Sequence, residues 1–298
     1  MQAKIPRRRI DGVLLLDKPV GLSSNAALQR AKRLFNAEKA GHTGTLDPMA
    51  SGLLPLCFGE ATKFARFLLE ADKHYRAVVR FGVATTTQDA EGEVVAEASV
   101  AIDRTMLESA LPPFTGVLQQ TPPAHSALKF KGRNYYEYAR KGIEIPRAPR
   151  AVEVRKIALI DWASPIATLD ILCSKGTYIR TLAADLGTAL DCGAHLVALR
   201  RIATGGFRLD DALALDALAA LEKEARDAAL HPVDCLLGAL PRLDVAVDEA
   251  TRLRHGRPIE APTQTSARFR AYGPGGDLLG VLARVDDVLV PDRLLRYA

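Results

Sequence analysis

A single acid, Asp47, stands in the stretch HTGTLDPMASGLLPL, residues 42–56. The nearest other acids are Glu38 and Glu60, so this carboxylate is isolated along the chain. Glycines on both sides allow backbone angles that are closed to other residues, and Pro48 favours an extended conformation at Asp47. Such a loop presents a carboxylate at a defined place on a scaffold. Asp-Pro and glycine are equally typical of an ordinary turn, so these residues alone leave both interpretations open.

The sequence lacks the motifs that other common types of catalytic site require. The sequence has no GxxxxGK[ST] phosphate loop, no HExxH metal motif and no GxSxG nucleophile motif. His42 alone is better suited to hydrogen bonding or stacking than to metal binding. The cysteines form no CxxC pair, which argues against zinc and redox chemistry and indicates reduced thiols in a cytosolic protein. They are Cys57, Cys173, Cys192 and Cys235.

Two further segments carry side chains that suit a flat ring or a carboxylate. Tyr75 opens a predicted strand, where its ring could stack on a base or pack in the core. In CSKGTYIRTLAADLG, the alternation places Tyr178 and Arg180 on one face of a predicted strand. An inward Arg180 would need a carboxylate partner such as Asp47, whereas on an edge strand it would face solvent.

Residues 129–156 form a basic segment with interleaved aromatic rings. Nine lysines and arginines stand against three acids, a net charge of +6, and the whole chain carries +5. Basic side chains neutralise phosphates, and aromatic rings stack on unpaired bases, so the segment is suited to RNA. A solvent-exposed charged loop is the alternative.

The elements around these residues indicate an α+β fold. GVLLLDKPVG reads as a short buried strand, and the helix that follows is capped by Ser23 or Ser24. From about Arg242, short β-like pieces alternate with Gly/Pro turns, which suggests a separate small β domain. The apolar run Val13 to Leu16 is too short for a signal peptide, and no run suffices to span a bilayer.

Several long motifs together resemble one family. VLLLDKPVGLSSN, AGHTGTLDPMASGLLPLCFGEATKF, DKHYRAVVRFG, HSALKFKGRNYYEYARKGIEIPR, CSKGTYIRTLAADLG and GAHLVALRRIATGGF look like those of the TruB-type tRNA pseudouridine synthases of bacteria. The match is collinear from about Gly12 to Phe207, and the tail past Arg242 resembles the family's PUA-type RNA-binding domain more weakly.

The resemblance implies a mixed, largely antiparallel sheet with flanking helices, plus a small β-rich, PUA-like C-terminal domain. It implies a catalytic domain at residues 1–240, with a mobile RNA-binding thumb at about 124–152, and the second domain at 241–298. The implied reaction isomerises uridine 55 in the T loop of tRNA to pseudouridine after the base is flipped out, without metal or organic cofactor. The implied catalytic residues are Asp47, Tyr75 and Arg180, and the implied substrate-binding residues are His42, Lys63, Tyr178 and Leu199.

We therefore expect a cytoplasmic, monomeric isomerase that binds the T-arm of tRNA and no membrane. Two other functions fit the residues: a tRNA-binding and folding module, which could also be a second role, and a hydrolase that excises a base. A hydrolase would need a second carboxylate to activate water, and the Asp47 loop contains only one carboxylate, that of Asp47 itself.

Overall fold

The structure, a computed structural model, describes residues 6–296. Residues 1–5 and 297–298, which begin the first predicted domain and end the second, lie outside the described residues. The strands are β1 (Gly12–Lys18), β2 (Ala40–His42), β3 (Ala50–Phe58), β4 (Lys73–Phe81), β5 (Val83–Thr85), β6 (Val94–Glu97), β7 (Gly116–Gln120), β8 (Lys129–Phe130), β9 (Arg133–Asn134), β10 (Arg150–Ala163), β11 (Ile166–Cys173), β12 (Ala194–Thr204), β13 (Phe207–Arg208), β14 (Leu213–Ala214), β15 (Arg242–Asp244), β16 (Ile259–Glu260), β17 (Arg268–Tyr272), β18 (Leu278–Val285) and β19 (Val288–Leu294). The α-helices are α1 (Ser24–Leu34), α2 (Ala65–Leu69), α3 (Arg104–Ala110), α4 (Tyr135–Ala139), α5 (Ile179–Ala189), α6 (Leu215–Ala220), α7 (Lys223–Ala228) and α8 (Val247–Arg254).

A mixed, largely antiparallel sheet forms the centre of the chain, as predicted. Its strand order is β14-β1-β3-β12-β4-β11-β10-β7, with β2 on β3 and β13 on β12. The pairs β1–β14 and β3–β12 are parallel. On β12, Leu199 lies between Ala50 of β3 and Ala77 of β4. Because Asp47 precedes β3 and Tyr75 lies on β4, this register brings both close to Leu199.

Helix α1 begins as the sequence predicts. The side-chain oxygen of Ser23 accepts a hydrogen bond from the amide of Ala26 at 3.1 Å, which satisfies one of the free N–H groups of the first turn. Leu28, Ala31 and Phe35 are buried on the face toward the sheet. Within residues 6–296, no helix is both long and apolar enough to cross a membrane.

Tyr178 and Arg180 do not lie on a strand, contrary to the prediction. Strand β11 ends at Cys173, and Tyr178 is the residue before α5, whose first turn contains Arg180. Gly176 has a φ of +79°, which turns the chain away from the sheet. The carbonyl of Tyr178 then accepts the amide of Leu182 at 3.1 Å, the first hydrogen bond of the helix. The alternation covered three residues, too few to distinguish a strand from a helical turn.

The predicted thumb, residues 124–152, contains the hairpin β8–β9 and helix α4. The amides of Tyr135 and Tyr136, at the start of α4, donate to the carbonyls of Leu128 and Ser126. The segment therefore contains regular secondary structure and has a basic outer surface. The exposed cations are Lys129, Lys131, Arg133, Arg140, Lys141, Arg147 and Arg150.

A second sheet follows in the order β15-β17-β18-β19-β16, so the β-rich C-terminal part was predicted correctly. Leu253 and Phe269 lie in its own buried core. Val281 of β18 instead belongs to an apolar cluster with Leu53 of β3 and Phe64, which join it to the large sheet.

Gly52 of β3 provides a test of the close contact between β3 and β12. Its φ is +102°, and a Cβ built there would lie 2.3 Å from the carbonyl oxygen of Arg201. We expect Gly52→Ala to lower the free energy of unfolding by about 2–4 kcal/mol, because both the backbone angle and the contact are unfavourable for alanine. Urea denaturation measures this loss. Gly206→Ala is the control, since a Cβ there meets no atom within 4 Å; equal stability of the two variants would contradict the prediction.

Candidate active site

The Asp47 loop joins β2 to β3 and is fixed by hydrogen bonds on both sides of the acid. The hydroxyl of buried Ser24 donates to the carbonyl of Leu46 at 3.0 Å, and its oxygen accepts the amide of Leu46 at 2.7 Å. On the other side, the carbonyl of Pro48 accepts the amide of Gly21 at 2.8 Å. The loop is therefore held by the residues that lead into and begin α1, and Asp47 has a defined position.

Arg180 holds Asp47 from the side of α5. Its Nη2 lies 3.0 Å from Oδ2 of Asp47, and its Nη1 lies 3.0 Å from Oδ2 of Asp89. The remaining bonds of the guanidinium go to the carbonyls of Thr87 (3.2 Å) and His125 (2.7 Å). The side chains of Arg180 and Asp89 are 6% and 4% exposed, whereas that of Asp47 is 40% exposed. Asp47 is thus the carboxylate of this group that a ligand can reach.

The electrostatic surroundings of Asp47 are balanced between opposing effects. Burial raises the pKa of Asp47, Arg180 lowers it, Asp89 raises it and Lys18 lowers it; the net direction is upward. The paired arginine stabilises the ionised form, which is the form that can attack or stabilise a cationic carbon.

Asp47 opens into a cleft of about 400 Å³, within the range of small-molecule sites. Tyr75, Tyr178, Arg180 and Leu199 also line it. The structure thus brings together five of the seven residues expected at the site.

Tyr75 is 8% exposed and lies on β4 at the wall of the cleft. Burial raises the pKa of Tyr75, and nearby Arg201 opposes this rise without cancelling it, so the phenol is protonated at neutral pH. Burial likewise raises the pKa of Tyr178, whose ring is half-buried. Both rings are therefore neutral surfaces against which a base can lie.

His42 and Lys63 do not line this cleft. His42 ends β2, and its buried Nδ1 has no hydrogen-bond partner within residues 6–296. Burial and Arg201 lower the pKa of His42, so its ring is neutral at pH 7. The Nζ of Lys63 lies 2.5 Å from Glu60 and donates to the carbonyl of Leu294 at 2.9 Å. Lys63 thus joins the helical turn after β3 to β19, beside a different cavity of about 1150 Å³.

Three charged residues near Asp47 were not singled out from the sequence. Lys18 is fully buried and donates to two carbonyls at 2.9 and 2.6 Å, and burial lowers its pKa to about 8. Arg201 is 1% exposed, and its Nε donates to the carbonyl of Leu53 at 2.7 Å. A cation at the end of an otherwise apolar strand was a usable signal for Lys18. No local pattern marks Asp89, because it meets Arg180 across 91 positions of sequence.

The arrangement defines a class of protein. An accessible carboxylate held by a buried arginine, in a cleft with two tyrosines and near an exposed basic segment, is suited to an enzyme that acts on nucleic acid. Within residues 6–296 no group of three or more His, Cys, Asp or Glu side chains could hold a metal ion.

Comparison with known proteins identifies the family. Residues 32–179 match the model described as "TruB family pseudouridylate synthase (N terminal domain)". Residues 180–238 match "tRNA pseudouridylate synthase B C-terminal domain", and residues 241–295 match "Pseudouridine synthase II TruB, C-terminal". The chain belongs to the TruB family of pseudouridylate synthases, in its bacterial form. It is accordingly an isomerase.

The curated relatives match over nearly their whole length. The chain is 54% identical over 304 residues to the tRNA pseudouridine synthase B of Ralstonia nicotianae, covering 99% of this chain and 97% of that protein. It is also 54% identical over 293 residues to the tRNA pseudouridine synthase B of Chromobacterium violaceum, covering 97% and 96%.

Solved structures support the fold. A crystal structure of a Cbf5-Nop10-Gar1 complex matches with a TM-score of 0.74 at 24% identity, over 96% of this chain and 84% of that chain. An H/ACA RNP bound to a substrate RNA containing 2′-deoxyuridine matches with a TM-score of 0.73 at 22% identity, over 96% and 85%. At these identities the likeness concerns the fold alone.

Proposed function

We propose that this protein converts uridine 55 in the T loop of tRNA into pseudouridine, with Asp47 as the reacting group. The observation that carries the proposal is the Asp47–Arg180 pair, in which the acid faces the cleft and the arginine is buried behind it. The related proteins of Ralstonia nicotianae and Chromobacterium violaceum are named for action on tRNA, which supports tRNA as the substrate.

The chemistry needs one accessible carboxylate. Isomerisation breaks the N1–C1′ bond and forms a C5–C1′ bond; C5 loses a proton, N1 gains one, and no atom is added. Asp47 can bond to C1′, add to the base or remove a proton from the sugar, and each route places its carboxylate at the reacting atoms. Neither a metal nor an organic cofactor enters these steps.

The position of Asp89 favours isomerisation over base excision. A hydrolase would use a second carboxylate to activate water. The two oxygens of Asp89 are already engaged, Oδ1 by the hydroxyl of Thr87 and the amide of Glu91, and Oδ2 by Arg180. Asp89 is also buried, so it supports Arg180 and does not meet water in the cleft.

Each remaining site residue has a role in this proposal. Tyr75 lies against the target base, and Tyr178 and Leu199 form further walls of the uridine pocket. His42 stacks within the T loop after the base is flipped out, since its ring is neutral and its Nδ1 has no partner among the described residues. Lys63 was expected near the uridine, but its bonds to Glu60 and Leu294 favour a structural role.

The RNA is held by the exposed cations of residues 129–150, which neutralise phosphates and so contribute to the unstacking of the target base, a step that costs a few kcal/mol. One chain contains every residue named here, so we propose a monomer, and it acts in the cytoplasm, where its substrate is.

The test uses unmodified tRNA that carries tritium at uridine C5. We expect tritium release stoichiometric with tRNA, no release from a transcript with cytidine at position 55, and no free uracil. Primer extension after carbodiimide treatment maps the product. Absence of release from unmodified tRNA would disprove the proposed reaction, and free uracil would establish the hydrolase instead.

A further inference from the structure

Gln120 makes an unusual pair of contacts next to the cleft. It is the last residue of β7, and it is 4% exposed. Its Nε2 donates to the carbonyl of Tyr178 at 3.0 Å, and its Oε1 accepts the amide of Tyr178 at 2.7 Å. One side-chain amide therefore satisfies both backbone groups of a residue 58 positions away.

These contacts take the place of the hydrogen bonds that a neighbouring strand would give to the backbone of Tyr178. Strand β11 ends at Cys173, so the backbone of Tyr178 has no strand partner, and no side chain caps the start of α5 there. The carbonyl of Tyr178 also accepts the first helical bond, from Leu182. Gln120 consequently fixes the residue from which α5 starts, and with it the direction of the first turn.

Arg180 lies two residues beyond this fixed point. Its Nη2 bonds to Asp47 at 3.0 Å and to the carbonyl of His125 at 2.7 Å. Gln120 ends β7, four residues before the thumb, and His125 is at the start of the thumb. The base of the thumb therefore contacts the site twice, through a side chain at Tyr178 and through a carbonyl at Arg180.

We propose that Gln120 is a positioning residue for the isomerisation, which ties the base of the thumb to the start of α5 so that Tyr178 and Arg180 meet Asp47 correctly. This inference rests on the proposed function. Gln120 does not line the cleft, and the exposed cations of residues 129–150 hold the RNA, so we expect Gln120 to affect the rate of reaction much more than the binding of tRNA.

The test compares Gln120→Leu, which puts an apolar side chain of similar volume there and removes both bonds, with Gln120→Glu, which keeps the acceptor for the amide of Tyr178 and can donate to its carbonyl only when protonated. We expect Gln120→Leu to lower the single-turnover rate of pseudouridine formation by about 10²-fold, since small displacements of catalytic groups have effects of this size. Its dissociation constant for tRNA should change by less than about threefold. Gln120→Glu should be intermediate.

Two controls separate positioning from stability. Gln119→Leu alters the exposed neighbour on the same strand and should turn over like the unsubstituted protein. Leu218→Ala removes a fully buried side chain on α6, at the opposite edge of the sheet, and reports what destabilisation alone does to the rate.

An unaltered rate in Gln120→Leu, a loss explained by weaker tRNA binding, or an equal loss in Leu218→Ala would each overturn the inference while leaving the proposed function intact. An unsubstituted protein that forms no pseudouridine would overturn both.

Discussion

Asp47→Asn should lower the rate of pseudouridine formation by about 10⁴-fold or more, the scale seen when a group at the reacting atoms is removed. Asparagine has nearly the same shape, and its side-chain oxygen can still accept from Arg180, so the fold and the cleft should persist. It carries no charge and cannot serve as nucleophile, ion or base. Tritium release in single turnover measures the loss, and filter binding should show an unchanged dissociation constant for tRNA.

Asp191→Asn is the matched control for this prediction. Asp191 is exposed and has a φ of +54°, a conformation that asparagine tolerates, so its replacement should leave both rate and stability unchanged. Asp47→Ala is a second variant at the same position, and it removes the polar group of the side chain altogether. Release by either Asp47 variant within tenfold of the unsubstituted rate would show that another group performs the chemistry.

Arg180→Met should damage both stability and activity, for separate reasons. Asp89 is 4% exposed and would lose its cation, which we expect to lower the free energy of unfolding by about 3–5 kcal/mol. Asp47 would lose the bond that aims it into the cleft. The double variant Arg180→Met/Asp89→Asn should recover much of the stability, because no buried charge is left unpaired, yet react as slowly as the single variant.

The same substitution has a predictable effect on pH dependence. Arg180 lowers the pKa of Asp47, so its removal should raise that pKa further above the ordinary value. Asp47 then becomes protonated at a higher pH, so the acid limb of the pH profile of the single-turnover rate should shift to higher pH.

Arg208→Met, at an exposed pair with Asp210, should change neither stability nor profile. Two results would contradict this account of the ion pairs. One is a shift of the acid limb to lower pH in Arg180→Met, and the other is a single variant Arg180→Met that is as stable as the unsubstituted protein.

The sequence was informative where a feature depends on neighbours along the chain. The apolar run of β1, the Ser23 cap of α1 and the glycine-flanked loop of Asp47 are local, and the structure has each of them. The reading of Tyr178 and Arg180 as a strand failed because Gly176 turns the chain, and three alternating residues could not reveal this.

Contacts between distant positions were the other limit. Nothing near Asp89 in sequence shows that its carboxylate meets Arg180. Lys63 was expected at the site by resemblance, but the structure pairs it with Glu60 and the end of β19. Both outcomes depend on how β4, α5 and the C-terminal sheet pack, which no short window of sequence contains.

Val281 of β18 shares an apolar cluster with Leu53 of β3, and the Asp47 loop leads directly into β3. The carbonyl of Leu294 and the amide of Arg296 also bond to side chains near the end of that strand. The second sheet therefore packs against β3, the strand that follows the Asp47 loop, although it contributes no residue to the cleft. A substitution outside the cleft, such as one that shrinks Val281, would make the enzyme temperature-sensitive by loosening the strand that follows Asp47.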